Sequence, residues 1–128
     1  MRHTLLLLLL ALLLGCSGGT DDDEPADGLA GDWALVMGTG QSFMRLEQDG
    51  AAISGESCEA EGMDCYPLQE GKVAGFELTF FYSFLEAGSN HRVDGRFTVG
   101  DVGTTLTGEL VSSKCDCELP HTYEKQSP

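Results

Sequence analysis

Five cysteines and three histidines carry the most specific chemistry in this 128-residue chain. Cys58 and Cys65 stand in C-x6-C spacing, and Cys115 and Cys117 in C-x-C spacing. Four such thiolates can surround a zinc ion; oxidised in pairs, the same sulfurs cross-link the chain. The spacing is not a usual zinc pattern, so the compartment decides between the two. His91 and His121 lie in no motif of the G-x-S-x-G or H-E-x-x-H kind, and each reads as an ordinary surface or edge histidine. Carboxylates are so plentiful that a pair brought together by folding would carry no information. No catalytic residue, metal or cofactor is expected, and the chain does not read as an enzyme.

The compartment is written in Met1 to Cys16. Arg2 and the amino terminus form a short positive end, Leu5 to Leu14 is an apolar run of ten residues, and Leu13-Leu14-Gly15-Cys16 closes it. As a helix that run spans about 15 Å, half of a hydrocarbon core about 30 Å thick, so it is too short to cross a membrane. Its layout is that of a secretory signal peptide. Leu13-Leu14-Gly15-Cys16 also resembles the lipobox of bacterial lipoproteins. The resemblance implies cleavage between Gly15 and Cys16, diacylglycerol on the Cys16 sulfur, and an acyl chain such as palmitate on the new amino terminus. It also implies sorting to the outer membrane of the cell envelope, because Ser17 rather than an aspartate follows the cysteine. With acyl chains contributing about 0.8 kcal/mol per buried CH₂, such an anchor is effectively permanent.

Residues 16–28 then read as the lipidated cysteine and a flexible acidic tether. Ser17 to Gly28 holds three glycines, a proline and five acids, too little apolar surface to offset the entropy of ordering. Asp21-Asp22-Asp23-Glu24 lacks the alternating ligands and glycine turn of a calcium loop and reads as a solvated spacer. Residues 29–128 are the size of one domain. Once Arg2 leaves with the signal, six basic residues oppose twenty-one acids. That balance excludes nucleic acid and anionic lipid as expected partners, since both require a basic surface.

Within the domain apolar residues recur with period two almost everywhere. Strands are expected at 31–37, 42–49, 51–58, 72–74, 76–84, 91–99, 104–112 and 119–125, with Asp49-Gly50 supplying the positive φ angles of a tight hairpin. About eight short strands predict an all-β fold, a small antiparallel up-and-down β-barrel or meander, with a β-sandwich as the alternative. The expected inward set is Trp33, Leu35, Met44, Leu46, Ile53, Val73, Phe76, Leu78, Phe80, Tyr82, Val93, Phe97, Leu106 and Leu110, enough bulk to fill a barrel. Ile53-Ser54-Gly55-Glu56 and Leu106-Thr107-Gly108-Glu109 echo each other, and glycine inside a strand marks a sharp bend or a close backbone approach. With Gly31-Asp32-Trp33, this texture resembles small lipocalin- and avidin-like barrels. That resemblance implies a fold and transfers no binding residue.

Setting Cys16 aside, an even number of cysteines in an exported chain predicts disulfides among Cys58, Cys65, Cys115 and Cys117. Their pairing is open: a Cys115–Cys117 bond would close a very small ring, which makes crossed pairing plausible, while Cys58–Cys65 is local and easy. A cross-link closing about 50 residues would stabilise by roughly 4 kcal/mol in the chain-entropy picture.

Three function classes fit. The first is a membrane-anchored, non-catalytic envelope lipoprotein whose barrel meets an unidentified protein or envelope component. The second is a carrier for a small apolar ligand at the open end of the barrel, lined by Trp33, Tyr82 and Phe84. The third is an inhibitor presenting the disulfide-braced loop Glu59 to Asp64, whose only large apolar side chain is Met63. The anchor reading is checked by intact mass of detergent-extracted protein: it should begin at Cys16, carry acyl mass, and expose four alkylatable thiols only after reduction.

Overall fold

The computed structural model describes residues 24–39, 42–60, 63–100 and 102–127. The signal peptide, the cleavage site Gly15-Cys16, the lipidation site Cys16 and the tether as far as residue 23 lie outside the described residues. Nine strands follow one another: β1 (Gly31–Met37), β2 (Phe43–Asp49), β3 (Ala52–Ala60), β4 (Met63–Pro67), β5 (Gln69–Ala74), β6 (Glu77–Glu86), β7 (Ser89–Val99), β8 (Thr105–Ser112) and β9 (Cys117–Lys125). Eight of them form a closed antiparallel ring in the order β2-β1-β9-β8-β7-β6-β5-β3, with β3 returning to β2. The ninth, β4, lies along the second half of β3, whose first residues pair with β5. The chain is therefore all-β, and the barrel rather than the sandwich is the architecture.

Short turns set this topology. Asp49 pairs with Ala52, so the turn residues are Gly50 and Ala51, one position later than Asp49-Gly50, and of these only Gly50 takes a positive φ, +61°. A single positive φ at the first central position is what a type II′ turn asks for, and glycine takes it without steric cost. Ala74 pairs with Glu77, which puts Phe76 in a turn rather than on a strand. The expectation that Phe76 faces inward is thereby corrected: it is 62% exposed. Leu35 is only partly buried and packs against the core rather than within it.

The other twelve residues of the expected inward set are buried, joined by Leu29, Leu68, Val99 and Tyr123. Burying a Leu or Phe side chain contributes about 1.5–3 kcal/mol. By contrast Arg45–Asp32, at 3.0 Å with both side chains about half exposed, contributes about 1 kcal/mol at most. The filled interior, not surface charge, holds the ring together.

One end of the barrel is plugged by the segment entering β1. Ala26 N–H donates to Gly75 O (2.7 Å), Gln48 Nε2 donates to Ala26 O (2.7 Å), and Gln48 Oε1 accepts from Leu29 N–H (2.9 Å). Leu29 O in turn accepts from the Trp33 indole N–H at 3.0 Å, and both side chains are fully buried. Residues 26–28, at the end of the acidic segment, are thus bonded to the barrel.

The echoing glycines mark places where strands nearly touch. A Cβ at Gly55 would run into the Arg45 carbonyl of β2, and one at Gly108 into the Arg96 carbonyl of β7. Gly108 lies outside the positive-φ set, so its obstacle is the backbone of β7, the Arg96 carbonyl and the Phe97 Cα, and not its own conformation. Gly108→Ala should therefore lower the urea midpoint by the equivalent of about 1–3 kcal/mol with an unchanged denaturant slope; an unchanged midpoint would refute the close-approach account.

Candidate functional site

The unplugged end is the mouth of the barrel, formed by the β1–β2 connection, the β3–β4 hairpin, the β6–β7 turn and the β8–β9 turn. Period two in β6 turns Phe80, Tyr82 and Phe84 inward, and in β9 it turns Leu119, His121 and Tyr123 inward. Where these strands reach the mouth, Tyr82, Phe84, Leu119 and His121 meet Val93, Leu110, Ser112, Thr39 and Glu59 around a cavity of about 130 Å³. A larger concavity of about 520 Å³ lies on the outer wall among Glu70, Lys72, Phe81, Arg92 and Asp94. There Arg92 is held by Asp94 at 2.9 Å and lies over the Phe81 ring at 3.7 Å. Its most reactive charges already satisfy each other, so the mouth is the better site.

Of the three residues expected to line a pocket, Tyr82 and Phe84 do so, and Trp33 does not, because its indole closes the opposite end. Tyr66 of β4 joins the aromatic wall, stacked on Tyr82 and tilted against Phe84, each at 5.7 Å between ring centres. His91 lies 5.3 Å from Phe84 on the same side.

His121 corrects an expectation. It is 1% exposed, not a surface or edge histidine. Its Nδ1 lies 2.8 Å from Leu119 O and its Nε2 2.8 Å from Thr39 O, while the ring stacks on Tyr123 at 6.0 Å. Buried polar groups persist when partnered, and here the partners pin the β1–β2 connection over the mouth.

Both disulfides brace this end. Cys58 and Cys65 are directly opposite on β3 and β4 with Cα atoms 4.1 Å apart, and Cys115–Cys117 closes within the β8–β9 turn with Cα atoms 5.2 Å apart. Crossed pairing is not formed. Asp116 between the last two cysteines takes φ +52°, folding the chain back on itself so that so short a link can close. Glu56, Cys58 and Cys65 place ligand atoms within 4.8 Å of one another, but a sulfur bonded to sulfur is not the thiolate a metal takes. The stretch expected as an inhibitory loop is a hairpin: Glu59 and Ala60 end β3, and Met63 and Asp64 begin β4, with Ala60 paired to Met63.

The mouth is electronegative. Burial raises the Tyr66 phenol's pKa, and the charges of Glu59, Asp64 and Glu86 raise it further. Burial likewise pushes Tyr82 up; a hydrogen bond with Ser57 opposes this, and Glu59 and Tyr66 add to it. Tyr123 is raised by burial first and then by Tyr82. At the rim Lys114 Nζ is held 2.5 Å from Glu86 Oε2, and that bond lowers the pKa of Glu86.

Glu59, Tyr66, Leu119 and His121 were not singled out for this site from the sequence. The alternation of Leu119, His121 and Tyr123 was a signal for three-way burial on β9. Tyr66 carries no such signal, because it falls outside every strand the sequence pattern predicts. No protein-family model matches the chain, and no curated protein or solved structure matches it.

Tyr82 and Tyr123 hold their protons more tightly folded than unfolded, so the folded state is unaffected below about pH 10, where a free tyrosine titrates, and loses stability as pH rises beyond it. In an alkaline titration, tyrosinate absorbance from these two should appear together with loss of the β circular dichroism signal. Reversible ionisation of all three tyrosines with the barrel intact would contradict this.

Proposed function

We propose that this protein is a lipid-anchored bacterial envelope protein whose non-catalytic barrel receives a partner at its mouth. The observation that carries the reading is the polarity of the barrel. The described chain enters at the plugged end through Ala26 to Leu29, while the aromatic wall, His121 and both disulfides gather at the other.

With Cys16 as anchor, seven residues separate it from Glu24, and so short a stretch of chain spans at most about 30 Å. The plugged end then stays near the membrane and the mouth points away from it. Local disulfides at the mouth suit a binding rim, because they hold hairpin ends in one shape before a partner arrives and reduce the ordering cost of association.

A carrier is the second reading, favoured by Tyr82 and Phe84 at the cavity. Its volume of about 130 Å³ falls well below the roughly 300–1,000 Å³ of sites for drug-sized ligands, so such a ligand would be small.

The test is site-specific photo-cross-linking on intact cells, with the photoreactive residue at Glu118 by the mouth or at Asp49 by the plugged end. A discrete cross-linked species from Glu118 and none from Asp49 is expected. Equal yields from both positions, or only abundant bystanders from either, would overturn the reading.

A further inference from the structure

The chemistry of the mouth also specifies what kind of group fits it. Two aromatic side chains, Tyr82 and Phe84, line the cavity, and Tyr66 backs them both. Glu59 is the only charged residue in the lining, and among the described residues no Lys or Arg faces the cavity. Lys114, the nearest rim cation by turn, is held by Glu86 at 2.5 Å. Of the remaining polar lining, Ser112 Oγ accepts a 3.3 Å bond from Lys114 N–H.

An aromatic face carries negative quadrupolar charge and attracts an organic cation lying over it. A carboxylate at the lip repels an anion and orients a cation. The surrounding field has the same sign, since Glu59, Asp64 and Glu86 all act on the Tyr66 phenol, and the chain as a whole carries a formal charge of −14. Size narrows the choice further. At about 130 Å³ the cavity is smaller than the roughly 150 Å³ engineered cavity that takes benzene in another protein, room for one short chain and its charged head. We propose that the mouth of the barrel binds a single organic ammonium group on a short aliphatic chain, with Tyr82 and Phe84 against its methylenes and Glu59 on its charge.

This inference rests on the mouth being the binding face and deepens that reading. The group has two sources, a free amine or a lysine side chain of a partner protein, and the experiment separates them. Full-length protein in detergent is titrated with butylammonium chloride while the ring-proton NMR signals of Tyr82 and Phe84 are followed. Butanol and butyrate serve as controls of the same length, and a lysine-containing peptide with blocked termini forms the second arm. Saturable shifts with butylammonium, absent with butanol and butyrate and weakened about fivefold or more in Glu59→Gln, are expected.

Tighter binding of the peptide than of butylammonium assigns the group to a protein partner; the reverse assigns it to a free amine. A response to butanol equal to that to butylammonium, an affinity unchanged by Glu59→Gln, or no shift at all would overturn the proposal. Glu59 is exposed, so the variant keeps the core, and unchanged signals from Trp33 and Phe97 verify that. Loss of the ammonium response with the Glu118 cross-link intact rejects this inference alone. The converse result rejects the partner reading alone.

Discussion

An eight-strand meander leaves its first and last strands as bare edges unless they meet, and here β1 and β9 meet through Trp33 opposite Lys125, Ala34 opposite Glu124 and Leu35 opposite Tyr123. Everything else in the barrel depends on that closure. It pairs the facing backbone rows of β1 and β9, which would otherwise invite another chain to pair. It also brings Tyr123 into the ring, where its edge meets Phe97 at 5.6 Å. A register shift between Leu35 and Met37 bends β1 at this seam, and beyond it Val36 and Met37 turn outward and are more than half exposed.

The two ends of the ring are built by different means. At the plugged end one glutamine, Gln48, bonds Ala26 O and Leu29 N–H and so sews the entering segment across the opening. At the mouth the chain is held by covalent links and by a buried histidine rather than by a crossing segment.

Most of the architecture was legible in the sequence because period two survives wherever a strand has one dry and one wet face. Phe43 to Asp49, Glu77 to Glu86 and Thr105 to Ser112 fall within a residue or two of their expected ends. What was not legible has particular causes. Phe76 continues the alternation of β6 on paper, but the turn that begins at Gly75 takes in Phe76 as its second residue and removes it from the strand. Cys58 to Cys65 read as an interruption because Glu, Gly and Asp dominate it; pairing along β3 overrides those local preferences. The site was legible only in part: Tyr82 and Phe84 belong to it by their strand pattern, whereas Glu59 reaches it at the end of β3 and Tyr66 on β4, and Trp33 falls at the other end because alternation gives a residue's face but not its height in the barrel.

The pairing of the cysteines bears on how the protein is made. Cys58 joins the next cysteine along the chain, and Cys115 joins the next after that. A polypeptide delivered from its amino terminus therefore presents these four sulfurs in the order in which they bond. Each link can close on a hairpin that has only just emerged, with no later partner to wait for and no wrong bond to reshuffle. Closure in chain order does not call for the slow isomerisation that interleaved pairings require.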